Sequence, residues 1–308
     1  MAQAVRLLDA GRGPEWLDRE EYPFASCTWR TPAGLMHYVD EGEGSPVVMA
    51  HGVPAWSFTY RKLIKRLAPR HRCVAMDHLG FGLSDKPPGW HYSPHAMAAN
   101  VASLIDGLGL KDVTLVVHDW GGPAGLAYAI ERPENVARLV LLNTWMWSAK
   151  GDVRQELAAR GLGSPVYRLL EERFNFTARA FIPNVVGDGA RLTRDVHRQY
   201  VEPLRERGDR RGCWRMIRAI LHSGDWLDRL WERRERIAEV PTFVVWGLRD
   251  RAYTRADLDR WRGVFREVEV HALPRVGHFP QEELSAEEWS MLDGFLSGRP
   301  NSLRAGHG

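Results

Sequence analysis

The stretch Val113-Thr114-Leu115-Val116-Val117-His118-Asp119-Trp120-Gly121-Gly122 decides how the rest of the chain is read. An apolar run, Val113 to Val117, predicts a buried strand, and Pro123 to Ile130 predicts a helix immediately after it. Between them lies a tight, glycine-flanked turn. A strand, such a turn and a helix together thrust the central side chain out at the end of a sheet. That side chain is Asp119. A carboxylate held this way is suited to attack carbon and form an ester with the protein.

Working outward, the same alternation recurs. Trp29 to Val39 reads as a hairpin turning at Pro32-Ala33-Gly34. Pro46 to Ala50 is a short, fully apolar run of the kind found in parallel sheets, and it ends at His51-Gly52-Val53-Pro54. Helical spacing covers Trp56 to Leu67 and His95 to Leu108. Arg72 to Met76 and Val136 to Asn143 are further strands. From Trp145 to Ile237 the strand signal stops and Arg-rich helical segments take over, broken at Pro165, Pro183, Gly187 to Gly189 and Gly208. Strands resume at Thr242 to Trp246 and Val268 to Ala272. The expected organisation is a core built from residues 20–144 and 238–298, with residues 145–237 inserted as a helical cap. Ser302 to Gly308 reads as a frayed end.

Composition bounds the function. The 308 residues are 44% hydrophobic and 26% charged with a net charge of +3, as in soluble globular proteins. The densest basic stretches, Arg205 to Arg218 and Trp231 to Arg236, are interleaved with acids and apolar residues, so they read as solvated helix faces rather than a nucleic-acid surface. Cys27, Cys73 and Cys213 are too scattered for a disulfide framework or a metal site. Met1 to Trp16 lacks the apolar core of a signal peptide, and no run approaches the roughly 18 apolar residues that span a bilayer. The expectation is a cytoplasmic protein, a monomer or small homo-oligomer without membrane insertion. Thirteen tryptophans suggest an aromatic-lined cavity, although an ordinary bulky core explains most of them equally well.

Two more loops follow strands and so reach the same edge of the sheet. Gly247-Leu248-Arg249-Asp250-Arg251 follows one, and Pro274-Arg275-Val276-Gly277-His278-Phe279 follows the other. The order nucleophile, acid, histidine, here Asp119, Asp250, His278, is that of the α/β-hydrolase fold. Asp119 would attack, His278 would activate water against the ester, and Asp250 would fix the imidazole tautomer. The backbone N–H groups of Val53 and Trp120 are candidates for an oxyanion hole, and the Trp120 indole N–H suits an electronegative leaving group. No cofactor or metal is called for.

With these residues in view, the chain resembles the haloalkane dehalogenase family. The similarity runs from about Tyr22 to Leu296 through His51 to Phe58, Asp77 to Pro87, His118 to Gly122 and Val276 to Pro280. It implies Trp120 as one of two halide donors. Asn143 to Trp147 and Phe174-Asn175-Phe176 resemble the subgroup whose triad acid follows the later strand, which implies Asp250. The departure is Val53, where that subgroup carries an asparagine as its second halide donor. A further subgroup takes this donor from a cap tryptophan, and Trp145, Trp147 and Trp214 are the candidates.

Other chemistries share the scaffold. An epoxide hydrolase would need acidic cap hydroxyls, for which Tyr167 and Tyr200 are available. A β-lactone decarboxylase is similar to the same subgroup. A haloacid dehalogenase would carry arginine where Trp120 stands, and a serine esterase would need a Gly-x-Ser-x-Gly that does not occur. A non-catalytic scaffold holding a small apolar ligand is the alternative of another class. The preferred reading is a hydrolase acting on a small apolar electrophile.

Overall fold

A computed structural model describes residues 4–6 and 13–298; Ser302 to Gly308 lies outside them. The strands are β1 (Ala4–Arg6), β2 (Cys27–Thr31), β3 (Gly34–Glu41), β4 (Pro46–Ala50), β5 (Arg72–Met76), β6 (Val113–His118), β7 (Val136–Leu142), β8 (Thr242–Gly247) and β9 (Val268–Leu273). They form a nine-stranded sheet in the order β1-β2-β3-β5-β4-β6-β7-β8-β9. The first three strands join antiparallel, through the hairpin at Pro32-Ala33, and everything from β5 to β9 is parallel.

Side chains alternate across a strand, so a fully buried strand feeds two cores. On one face Val48, Val74, Leu115, Val117, Leu139 and Val244 pack with α2 (Pro94–Gly107), α3 (Gly121–Glu131) and a later helix, Arg255–Arg262. On the other face Val47, Cys73, Val116, Val140 and Val245 pack with α1 (Arg61–Leu67) and the C-terminal helix Ser290–Ser297. The chain is therefore an α/β fold with helices on both faces of the sheet.

Between β7 and β8 the chain makes only helices: α4 (Val153–Leu162), α5 (Pro165–Phe174), α6 (Ile182–Val185), α7 (Arg194–Val201), α8 (Arg211–His222) and α9 (Gly224–Glu232), with short tight turns among them. Ser164 caps α5 by accepting from Tyr167 N–H, and Pro165 stands at its first position. Asn175, left-handed at φ +54°, ends it. These helices make up the segment inserted between β7 and β8. A buried hydrogen bond ties this segment to the rest of the chain: Tyr200 of α7 donates to Glu282 at 2.5 Å, the carboxylate that Arg61 Nη1 and Nη2 also hold at 2.5 and 2.8 Å. Among the described residues no helix is long and apolar enough to cross a membrane.

Candidate active site

β6 ends at His118 and α3 begins at Gly121, so Asp119 and Trp120 alone make the turn. Asp119 sits at φ +47°, a region costly for any residue but glycine. The turn is held from three sides. The Asp119 N–H donates to Asn143 O at 3.2 Å, and its carbonyl accepts from Thr144 Oγ1 at 2.7 Å and Gly122 N–H at 2.9 Å. The neighbouring glycines are dictated by space. A Cβ on Gly121 would strike the Ala50 carbonyl, one on Gly122 the Thr144 hydroxyl, and one on Gly52 the Asp119 carboxylate itself.

The Asp119 carboxylate is engaged at both oxygens. Oδ2 accepts from Val53 N–H at 2.8 Å. The other end of that same peptide, the Gly52 carbonyl, accepts from His51 Nδ1–H at 2.7 Å, while His51 Nε2 accepts from His78 N–H at 2.9 Å. His51 thus holds the peptide plane whose N–H points at the nucleophile. It stays neutral, because burial pulls its pKa down further than Asp77 and the Gly52 carbonyl raise it. The Trp120 backbone N–H, the other expected oxyanion donor, makes no hydrogen bond to Asp119 among the described residues.

Asp250 follows β8. Its Oδ2 accepts from His278 Nδ1–H at 2.8 Å and from Asn143 Nδ2 at 2.8 Å, and its Oδ1 accepts from Ala252 N–H at 2.7 Å. Asn143 also bridges Gly247, accepting from its N–H at 2.8 Å and donating to its carbonyl at 3.2 Å, so it pins the loop that carries the acid. Since the carboxylate only accepts, His278 carries its proton on Nδ1, leaving Nε2 as a base. The His278 backbone is clamped by Val185 of the cap, whose carbonyl accepts its N–H at 2.8 Å, and by His118 Nε2–H, which donates to its carbonyl at 2.7 Å. Burial lowers the His278 pKa, but the Asp250 charge and hydrogen bond, with a smaller contribution from Asp119, outweigh it and hold the pKa above the ordinary value. His118 goes the other way: burial, reinforced by the His278 charge, drives it far down and keeps it neutral.

Tyr253 is the residue that sequence reasoning missed. It lies in the Asp250 loop, three positions beyond the acid, and its hydroxyl donates to Asp119 Oδ1 at 2.6 Å. Its ring is stacked on Trp145 (5.1 Å between centroids, 26°) and tilted against His278 (5.5 Å, 35°). Burial first, then the Asp119 charge and hydrogen bond, push its pKa far up, so it is a neutral phenol. Tyr253 and Trp145 also line a cavity of about 430 Å³ with Trp147, Leu162, Phe181 and Ile220. Asp119 is not among the residues lining that cavity, and Tyr253 touches both. The only sequence signal for it was a phenol in the loop of the triad acid.

Trp120 is buried and meets Trp145 edge to face at 4.7 Å. Of the three cap candidates for a second leaving-group donor, Trp145 alone packs on Trp120. Trp147 packs against Trp231 and Trp261, and Trp214 lies between Arg168 and Arg218. The two cap tyrosines are committed elsewhere: Tyr200 to Glu282, and Tyr167 to Thr177 Oγ1 at 2.9 Å. Neither hydroxyl bonds Asp119. Among the described residues no cluster of three or more His, Cys, Asp or Glu side chains could hold a metal ion.

This strand order, with an acid and a histidine in the loops after the strands that follow the elbow, defines an α/β hydrolase, and the α/β hydrolase fold family matches residues 45–284. Haloalkane dehalogenase 2 of Mycobacterium tuberculosis is 36% identical over 268 residues, covering 86% of this chain and 93% of its own. A cis-3-alkyl-4-alkyloxetan-2-one decarboxylase of Shewanella oneidensis is 34% identical over 271 residues, 85% of each chain. Haloalkane dehalogenase DbeA of Bradyrhizobium elkani superposes with a TM-score of 0.80 at 21% identity, over 89% of this chain and 98% of that one. The chain belongs to the haloalkane dehalogenase family of α/β hydrolases.

Proposed function

We propose that the protein is a cofactor-independent hydrolase that converts a small apolar electrophile, a haloalkane in the first instance, to an alcohol through an ester on Asp119. The observation that carries this reading is the pairing of a carboxylate at the elbow, its Oδ2 held by Val53 N–H, with a His278–Asp250 pair whose free Nε2 is a base. A carboxylate nucleophile needs no base to attack. Oδ1 displaces the leaving group in line, and Trp120, with Trp145 beside it, receives the departing anion. His278 then takes a proton from water, which adds to Cγ. Oδ2 becomes the oxyanion at the Val53 N–H, and Asp250 supports the imidazolium. Residues 145–237 close over the core of residues 20–144 and 238–298 and keep bulk water from the ester.

Val53 favours keeping the decarboxylase-like reading as a second one, because a β-lactone leaves no halide to be held by a missing amide. The test compares bromide release from 1-bromobutane, diol formation from styrene oxide and CO2 release from a cis-disubstituted β-lactone between wild type and Asp119→Ala. Bromide release lost in the variant supports the dehalogenase. Turnover of the lactone alone supports the decarboxylase. Identical behaviour of the two proteins on all three would leave only a ligand-binding scaffold.

A further inference from the structure

Tyr253 has no part in the cycle just described, yet it touches the reacting oxygen. We infer that Tyr253 is a fourth catalytic residue, the general acid that protonates the departing alcohol when the Asp119 ester is hydrolysed. The inference rests on the ester mechanism proposed above and follows from which oxygen is which.

Oδ2 is held by the Val53 N–H, so Oδ1 is the atom that attacks and becomes the single-bonded oxygen of the ester. When water adds to Cγ, the bond that breaks is Cγ–Oδ1, and Oδ1 leaves as the oxygen of the alcohol. An alkoxide is a poor leaving group, and a proton delivered as the bond breaks lowers that barrier. Tyr253 Oη lies 2.6 Å from Oδ1 with its proton directed there. His278 serves the other partner, taking the proton of the attacking water.

The step balances. Water loses a proton to His278 and bonds through oxygen to Cγ. The tetrahedral carbon then expels Oδ1, which takes the Tyr253 proton and leaves as the alcohol. The carboxyl group left behind carries the proton that came with the water oxygen. It returns that proton to the Tyr253 phenolate beside it, restoring phenol and carboxylate. His278 gives its proton to solvent. One ester and one water become one carboxylate, one alcohol and one proton.

Two features argue against a phenol that merely plugs the site. The ring is held between Trp145 and His278, so the hydroxyl is placed by packing rather than by the carboxylate alone. A carboxylate oxygen has two lone pairs, and the hydrogen bond occupies one of them, leaving the other for attack. The same hydrogen bond tempers the nucleophile, so its loss should not slow ester formation.

The test is rapid-quench kinetics and intact-protein mass spectrometry on Tyr253→Phe with 1-bromobutane and with 1-bromo-2-fluoroethane, beside wild type and His278→Ala. The expected result is a burst of bromide release at least as fast as in wild type, followed by ester hydrolysis slowed about 100-fold or more. The slowing should be smaller for the fluoroethyl ester, whose alcohol is more acidic and needs the proton less. Hydrolysis at the wild-type rate overturns the inference, as does equal slowing for both alcohols, which would make Tyr253 a positioning residue only. Loss of the burst overturns it too. If His278→Ala also fails to accumulate an ester, the ester mechanism itself has failed. If His278→Ala accumulates one and Tyr253→Phe turns over normally, only the role of Tyr253 is lost.

Discussion

Replacing Val53 by asparagine separates the two jobs that position 53 could do. The backbone N–H that holds Asp119 Oδ2 at 2.8 Å is retained by any residue except proline, so the oxyanion contact survives. The side chain, 7% exposed and packed in the same core as Trp120, would change from a hydrocarbon to an amide donor beside the leaving-group site. One donor aimed at a developing anion is worth about 3 kcal/mol, or about 100-fold in rate. The resting protein is penalised in exchange, because a buried amide without an acceptor costs about 1–3 kcal/mol. For a chain of this size that lowers Tm by about 1.5 °C per kcal/mol. The assay is stopped-flow bromide release from 1-bromobutane together with thermal unfolding with and without sodium bromide. The expected outcome is faster ester formation, a lower Tm and recovery of that Tm by bromide, with Val53→Leu showing none of these. Unchanged or slower ester formation, with a Tm indifferent to bromide, would refute the reasoning that the leaving group lacks a second side-chain donor at position 53.

Three further outcomes are expected. Gly52→Ala places a methyl group against the Asp119 carboxylate, and displacing the nucleophile by about an ångström should lower bromide release by about 100-fold while the fold is retained by circular dichroism. His278 should titrate above pH 6.5 in the resting protein, and imidazole NMR should show Asp250→Asn lowering that value more than Asp119→Asn, since Asp250 contributes the larger share; the reverse order would contradict the geometry. Burial raises the Glu282 pKa, but Arg61 more than offsets it, so the folded pKa lies below the unfolded one. Its contribution to stability is therefore present above about pH 4.3 and lost as pH falls through the folded value. Urea unfolding should show Glu282→Gln less stable than wild type by about 3 kcal/mol at pH 7, with the difference shrinking in acid.

The parallel strands were legible because each is a short apolar run ending in a turn, and the pairing of Asp250 with His278 was legible because both sit in loops that follow such runs. Asp250 and His278 meet at 2.8 Å through a register that the apolar runs already imply. The elbow was legible from its glycines, which the Ala50 carbonyl and Thr144 hydroxyl require. Tyr253 was not, because its role depends on how a loop turns after Asp250, and loop conformation leaves no periodic trace. Tyr200 was available as an acid for the epoxide hydrolase alternative because nothing in its own neighbourhood of sequence announces Glu282, 82 positions away. The choice of Trp145 over Trp147 and Trp214 likewise depended on ring packing across distant segments.

The central claim is that Asp119 becomes covalently bonded to the substrate carbon. It is tested most directly by incubating His278→Ala with 1-bromobutane, digesting the protein and mapping the modified peptide by mass spectrometry. The account expects one butyl group per chain, on Asp119 and as an ester that mild hydroxide removes. An unmodified protein that nevertheless releases bromide, or a butyl group on any other side chain, would contradict it.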